Sequence, residues 1–373
     1  MIAGERAETS YKRHLLHIYP TFAVGGAQRR FVQLGRLLAD RYRHTIIALD
    51  GNFEMAPALA HAMEYRLVRV KFDKTRHLGN LPLFRRKLKR FAPDTLVTYN
   101  WGAVEWALAN RWLPLARHVH VEDGFGPDER AGQFTRRIWT RRIALSAPHT
   151  RVVVPSHQLL EIAHGSWKLP ERSVVYIPNG IDCEQFAPRT QGKNKTGTVV
   201  IGTLAALRPE KNVGRLIGAF GRMLSEADAP NARLLIVGGG DERGNLEQLT
   251  QRLGLQEHVE FAGATSAPET ALARMDVFAL TSDTEQMPLS VLEAMAVGLP
   301  IAAVGVGDVA SMVAEENAPF VTPVLHDAAL ITSLKTLASD EGLRVRLGCA
   351  NRETALERFD IHLMAARYAA VFG

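Results

Sequence analysis

Val277-Phe278-Ala279-Leu280-Thr281-Ser282-Asp283-Thr284-Glu285-Gln286-Met287-Pro288-Leu289-Ser290-Val291-Leu292-Glu293-Ala294-Met295-Ala296-Val297-Gly298-Leu299-Pro300-Ile301-Ala302-Ala303-Val304 holds a whole strand–loop–helix–strand unit. Val277–Leu280 reads as a strand, and the polar loop after it carries Glu285. Pro288 suits the first turn of a helix, where its missing N–H costs nothing. The apolar helix that follows is broken by Gly298 and Pro300, and Pro300–Val304 reads as the next strand.

The same alternation extends in both directions. Upstream in the second half lie Thr198–Gly202, Arg233–Val237 and His258–Phe261. In the first half the expected strands are His14–Ile18, His44–Leu49, Arg66–Val70, Thr95–Thr98, His118–Val121 and Val152–Val154. Amphipathic stretches such as Ala27–Asp40 and Leu81–Phe91 separate them. Repeated βα units imply parallel sheets covered by helices on both faces. Two runs of them give an α/β chain of two doubly wound domains: 1–178, then a linker at 179–197, then 198–358. The tail from Asp340 reads as two helices, and 359–373 is expected to pack back on the first domain.

Length and composition fit this reading. A chain of 373 residues makes two domains more readily than one or three. At 46% hydrophobic and 23% charged it is not a disordered chain. No run of 18 apolar residues exists, and the first dozen residues are polar and charged, unlike a secretory signal. Only Cys183 and Cys349 are present, which excludes a disulfide framework and a cysteine metal site and makes the cytoplasm the expected compartment. Charge is uneven. Residues 1–150 carry 25 basic and 13 acidic residues, a balance of +12, whereas the remainder balances at −6. The basic half should attract phosphate or an anionic membrane face. It lacks the regular aromatic interleaving of nucleic-acid binders.

In open α/β sheets ligands bind beyond the carboxyl ends of the strands, so the residues just after each strand matter most. Val24-Gly25-Gly26-Ala27 opens a helix after the first strand, where backbone can approach a phosphate. It is not the GxGxxG pattern. His118, His120, Glu122 and Asp123 end another strand, with His118 and His120 on one face. Histidine there suits acid–base or orienting work. Arg208-Pro209-Glu210-Lys211 places two cations beside a helix start, as a diphosphate would need. Val237-Gly238-Gly239-Gly240 empties a strand into glycines before a helix. Glu285 and Glu293 flank the start of the helix after Pro288, where carboxylates can hold sugar hydroxyls while helix amides hold phosphate. Glu293 sits in an apolar helix and needs a polar partner, because an unpaired buried charge is costly. Taken singly, these features also read as tight turns, a core histidine or an exposed charged loop. Paired carboxylates also suit a glycoside hydrolase, but that chemistry needs no flanking phosphate loops.

In this order the pieces resemble the family four retaining glycosyltransferases of the GT-B fold, from about Leu15 to Phe359. The most specific match is Glu285 and Glu293 with Pro288, Leu289, Leu292-Glu293-Ala294-Met295-Ala296, Gly298 and Pro300. Val175-Tyr176-Ile177-Pro178-Asn179-Gly180-Ile181-Asp182, with Phe186 and Pro188, is similar to the family's interdomain segment. Leu207, Pro209-Glu210-Lys211 and Val237-Gly238-Gly239-Gly240 fit as well.

The resemblance implies two Rossmann-like domains with a cleft between them. It implies metal-free, cofactor-free transfer of a hexose from a nucleotide diphosphate sugar to an acceptor, with retained anomeric configuration. The first domain would hold the acceptor and the second the donor. Glu285, His120 and Lys211 would be catalytic. Glu285 would bind the donor sugar and Lys211 would neutralise the diphosphate. Donor contacts would come from Gly25, Gly26, Arg208, Lys211, Gly238, Met287, Leu289, Ser290 and Glu293, the last holding ribose hydroxyls. Glu122 and Asp123 would lie on the acceptor side.

Two positions depart from the family. Ala206 stands where arginine is usual, and a lost charge-assisted contact is worth roughly 1.5–3 kcal/mol unless Arg208 replaces it. Gln286 stands where glycine is common. Ala206 also leaves open a non-catalytic subunit that binds nucleotide sugars, and the architecture is shared with nucleotide-sugar epimerases. The basic clusters Arg85-Arg86-Lys87, Lys89-Arg90, Arg136-Arg137 and Arg141-Arg142, with Trp139, suggest a lipid-linked saccharide acceptor in polysaccharide or glycoconjugate synthesis. The enzyme would then be peripheral at the inner face of the plasma membrane.

Overall fold

Continuous apolar strands alternating with one-sided helices leave this chain one economical arrangement, a parallel sheet buried on both faces. It makes two. The computed structural model describes every residue except 1–10, 61, 74, 77, 130–131, 189–196 and 325. The chain divides into two units, 1–177 with 365–373, and 178–364.

The first unit is built on β1 (Arg13–Tyr19), β2 (Tyr42–Ala48), β3 (Tyr65–Val68), β4 (Thr95–Tyr99), β5 (Arg117–Val121), β6 (Thr150–Val154) and β7 (Val174–Tyr176). Its order is β3-β2-β1-β4-β5-β6-β7, with every pairing parallel. Helices α1 (Gly26–Leu37), α2 (Leu81–Phe91), α3 (Val104–Arg111), α4 (Thr135–Leu145) and α5 (His157–Gly165) make the crossovers.

The second unit is built on β8 (Val199–Leu204), β9 (Ala232–Val237), β10 (Val259–Gly263), β11 (Val277–Leu280), β12 (Ile301–Val304) and β13 (Val321–Thr322), in the order β10-β9-β8-β11-β12-β13, again all parallel. Its helices are α6 (Val213–Leu224), α7 (Arg243–Arg252), α8 (Pro268–Leu272), α9 (Leu289–Ala296), α10 (Val309–Met312), α11 (Asp327–Ser339) and α12 (Glu341–Arg358). A last helix, α13 (Ile361–Phe372), carries the chain back to the first unit.

The doubly wound expectation holds, and most strand ends fall within two residues of the sequence reading. The edge strands β7 and β13 were not anticipated. At three and two residues they are too short to show a period. Pro209-Glu210-Lys211 does not open the long helix but forms its own 3-10 turn, and α6 starts at Val213 under an Asn212 cap.

The stretch anticipated as a linker also differs. Ile181, Cys183 and Phe186 are buried in the core of the second unit, and Ile181 bonds with Phe359 and Ile361 through the backbone. Apolar side chains at these positions dock the strand exit rather than leave it loose, while 189–196 lie outside the described residues. The end of α13 is fixed within the first unit. Tyr42 Oη donates to the carbonyls of Ala369 and Gly373, both at 3.3 Å, and Thr95 Oγ donates to that of Phe372 at 3.1 Å.

The first sheet buries an unusual row of histidines. His17 lies 3.0 Å from His44 and 3.1 Å from Tyr99 Oη, while His118 is within 3.0 Å of both Thr98 and Thr150. Burial, reinforced by neighbouring imidazoles, holds His17 and His118 well below the usual imidazole value and His44 down at about 3. The folded state therefore keeps them neutral, and the unfolded chain takes up their protons near pH 6.5. Their contribution is whole above that value and is lost as pH falls below it. At pH 5 His44 alone costs about 2 kcal/mol, and His17 and His118 act in the same direction. The melting midpoint of the first unit should drop between pH 7 and 5, where ordinary carboxylates stay ionised. A flat midpoint over that interval would contradict the neutral-histidine core.

Candidate functional site

Strand order reverses between β8 and β11 in the second sheet and between β1 and β4 in the first. Neighbouring loops at such a switch point leave toward opposite faces, and the gap between them is where open α/β sheets bind ligands.

At the β8/β11 switch point the two loops are sewn together. Asn212, at φ 42°, caps α6 and donates to Asp283 Oδ1 at 3.0 Å. Arg215 reaches Asp283 at 3.0 Å and the Thr281 carbonyl at 3.1 Å. Thr281 Oγ donates to the Asn212 carbonyl, and the Asp283 N–H donates to that of Glu210. This lacing brings Lys211 Nζ to 2.6 Å from Glu285 Oε1, and Ser282 Oγ donates to the same oxygen at 2.7 Å. The Glu285 side chain is 10% exposed and that of Lys211 25%, so both face an opening while remaining partly desolvated. Arg208 is exposed nearby, with no side-chain bond or ion pair among the described residues.

Glycine shapes the floor. Gly238 has φ +151°, and a β-carbon there would collide with the Ala205 carbonyl. Gly307 has φ +56°, and a β-carbon there would strike the carbonyls of Glu285 and Gln286. Met287 is buried, with its carbonyl taken by Asn179 Nδ2 at 2.8 Å. Pro288 caps α9, Leu289 and Ser290 form its half-buried first turn, and Glu293 is buried one turn on.

At the β1/β4 switch point, Gly25 caps α1 with extended backbone and Gly26 opens it. Arg30 on that helix pairs with Asp123 at 2.6 Å. The Asp123 N–H donates to Asn100 Oδ1 at 2.7 Å, and Asn100 holds the left-handed φ of 54° at the exit of β4. Helix α1 and the exits of β4 and β5 thus meet at Asp123. His120 sits within β5, three residues before Asp123. It is fully buried inside the sheet, 2.8 Å from Thr98 Oγ and 3.4 Å from Glu122 Oε2. Glu122 is also fully buried and receives Arg141 Nε at 3.1 Å. Arg141 reaches Glu129 as well and is enclosed by the rings of Trp101, Phe125 and Trp167 at 5.1–5.3 Å. Of the three, Asp123 keeps some exposure, at 18% of its side chain.

Residues 24–185 match the model for Glycosyltransferase Family 4, and residues 185–354 match that for Glycosyl transferases group 1. The chain belongs to these glycosyltransferases. It is 27% identical over 227 residues to the N-acetyl-alpha-D-glucosaminyl L-malate synthase of Bacillus anthracis. That match spans 59% of this chain but only 58% of the relative's length. It is 24% identical to the lipopolysaccharide core biosynthesis glycosyltransferase LpsD of Rhizobium meliloti, over 93% of this chain and 95% of the relative. Among solved structures, Anabaena HepE in complex with UDP superposes with a TM-score of 0.80 at 19% identity, covering 96% of this chain and 98% of that one. The fold is therefore GT-B.

In this glycosyltransferase the sequence reading missed Ser282, Asn100 and Arg141. Ser282 stands beside the strand exit, where any small polar residue looks alike. Asn100 follows an apolar strand, and only its φ marks it. Arg141 reads as one more surface cation until its burial is known. A cavity of about 730 Å³ opens at the amino ends of β8, β9 and β10, lined by Arg233, His258 and Arg274. It lies at the opposite edge of the sheet from Lys211 and contains none of the residues above. Among the described residues, no group of three or more His, Cys, Asp or Glu side chains is placed to hold a metal ion. No helix of the described residues is long and apolar enough to cross a membrane.

Proposed function

We propose that this protein is a retaining, metal-independent hexosyltransferase that moves a sugar from a nucleotide diphosphate sugar to a lipid-linked saccharide acceptor. The observation that carries this is the Lys211–Glu285 pair at 2.6 Å in the β8/β11 switch point. Donor entry exchanges that internal pairing for two external ones. Lys211 turns to the diphosphate and Glu285 to the sugar hydroxyls, with Ser282 holding the carboxylate in place.

The second unit carries the donor through Lys211, Arg208, Glu285, the first turn of α9 at Leu289 and Ser290, and Glu293 on the ribose. Arg208 supplies the cation that Ala206 lacks. Taken by itself, the first unit offers the start of α1 at Gly25 and Gly26 to a phosphate and Asp123 to an acceptor. Cations preorganised at the leaving group stabilise charge that develops as the bond from sugar to phosphate oxygen breaks. The acceptor hydroxyl bonds to the anomeric carbon from the same face, and its proton passes to a donor phosphate oxygen. Gly238 serves by letting its loop lie against Ala205 rather than by touching the donor. The basic first unit suits a peripheral place at the inner face of the plasma membrane in polysaccharide or glycoconjugate synthesis.

A thermal-shift panel of nucleotide diphosphate sugars tests the donor. At a hundredfold excess over its dissociation constant a true donor adds about 2.7 kcal/mol of stability. Glu285→Ala should remove the extra shift that the sugar nucleotide gives over the plain nucleotide diphosphate. Turnover should be unchanged by a chelator. A panel without any shift would sink the donor reading, and turnover abolished by chelation would sink the metal-free one.

A further inference from the structure

Helix α4 has two faces with different employment. Its inner face holds the segment that follows β5. Arg137 pairs with Asp128 at 2.6 Å and Glu129 at 3.0 Å, and Arg141 pairs with Glu122 and Glu129. The outer face exposes Trp139 at 55%, Ile143, Arg136 and Arg142, with the Arg142 guanidinium 5.1 Å above the Trp139 ring. The helix carries four arginines and no acidic residue.

The surface continues beyond α4. Helix α3 packs on α4 and α2 packs on α3. Past the end of α3, Trp112 is 70% exposed and Leu113 is exposed beside it, and Arg85 of α2 donates to the Leu113 carbonyl at 2.8 Å. Helix α2 adds Arg86, Lys87, Lys89 and Arg90, again without an acidic residue. Exposed tryptophans among cations, with no carboxylate on α2 or α4 themselves, match an anionic lipid surface. The cations meet headgroups and the indoles enter the boundary beneath them. A soluble anionic polymer satisfies the cations but offers nothing to Trp112, Leu113, Trp139 and Ile143.

We infer that α4 couples docking on an anionic bilayer to the acceptor-side segment 122–129. This deepens the reading above, since it rests on that segment belonging to the acceptor side. A helix anchored by its outer face loses freedom to fray, and Arg137 and Arg141 on its inner face then hold the segment more firmly. The two sites share one rigid element, so tightening one tightens the other.

Hydrogen exchange on the full chain tests this with vesicles of phosphatidylcholine alone and with added phosphatidylglycerol. The anionic vesicles should slow exchange in 122–129 by about fivefold, as expected for a modest coupling. Phosphatidylcholine alone should leave it unchanged. The double variant Trp139→Ala, Arg142→Glu should lose both vesicle binding and the slowing. Arg137→Gln should still bind vesicles yet lose most of the slowing, with a retained nucleotide thermal shift showing that it is folded. Vesicle binding without slowing in the natural chain would overturn the coupling. Equal slowing by heparin without lipid would overturn the bilayer as its partner. Absence of any nucleotide shift alongside normal slowing would instead sink the transferase reading and leave the coupling standing.

Discussion

Replacing Lys211 with alanine should lower sugar transfer by about 10²–10³-fold, the usual cost of removing one preorganised charge from a developing leaving group. The effect is large because Lys211 is the cation that sits on Glu285, whereas Arg208, three residues earlier, is exposed and makes no such contact. Pro209 and Glu210 offer no cation, and Ala206 stands where the family usually carries one. The same change leaves Glu285 with Ser282 as its remaining partner in this loop, so donor binding weakens too. Lys211→Arg should recover only part of the rate, because a planar guanidinium does not replace an ammonium held 2.6 Å from one oxygen. Steady-state turnover and a donor thermal shift check both statements. A variant within threefold of the natural rate would remove Lys211 from the chemistry.

Arg141→Ala should be the most damaging single change in the first unit, at about 3–5 kcal/mol. It strands buried Glu122 without its cation and leaves buried Glu129 to Arg137 alone. It also leaves a hole among Trp101, Phe125 and Trp167. The unfolding midpoint of the unit should fall by roughly 10 °C or more. Neutralising the network as a whole should be far milder. Arg141→Met combined with Glu122→Gln and Glu129→Gln removes every buried charge and keeps the volume filled. Thermal melts of the single and triple variants decide the matter. A single variant losing less than about 1 kcal/mol would show that the network is not a source of stability.

Much of the β8/β11 cluster was legible because its residues are close in sequence to a strand exit. Glu285 follows β11 by five residues, and Lys211 follows β8 by seven. Once both strands were recognised, the carboxyl-end rule placed both residues at one edge. The exit of β5 was less legible. His120, Glu122 and Asp123 alternate along one strand exit, and the sequence offers no sign of which one faces outward. Burial separated them. Two arginines on α4, ten or more residues downstream, draw Glu122 and its companions inward, while Arg30 from α1 and Asn100 from β4 hold Asp123 at the edge.

Periodicity and punctuation alone determined that this chain makes two parallel sheets, because apolar runs of four to seven residues between amphipathic helices can be buried in no other way. They also determined which loops carry the polar chemistry. The order of strands within each sheet, and hence the neighbouring of β8 with β11 and of β1 with β4, came only from the tertiary structure. Local sequence fixes whether a segment is a strand, but which strands pair depends on the way all the helices pack over both faces at once. Lys211 meets Glu285 across 74 residues for that reason and no local one.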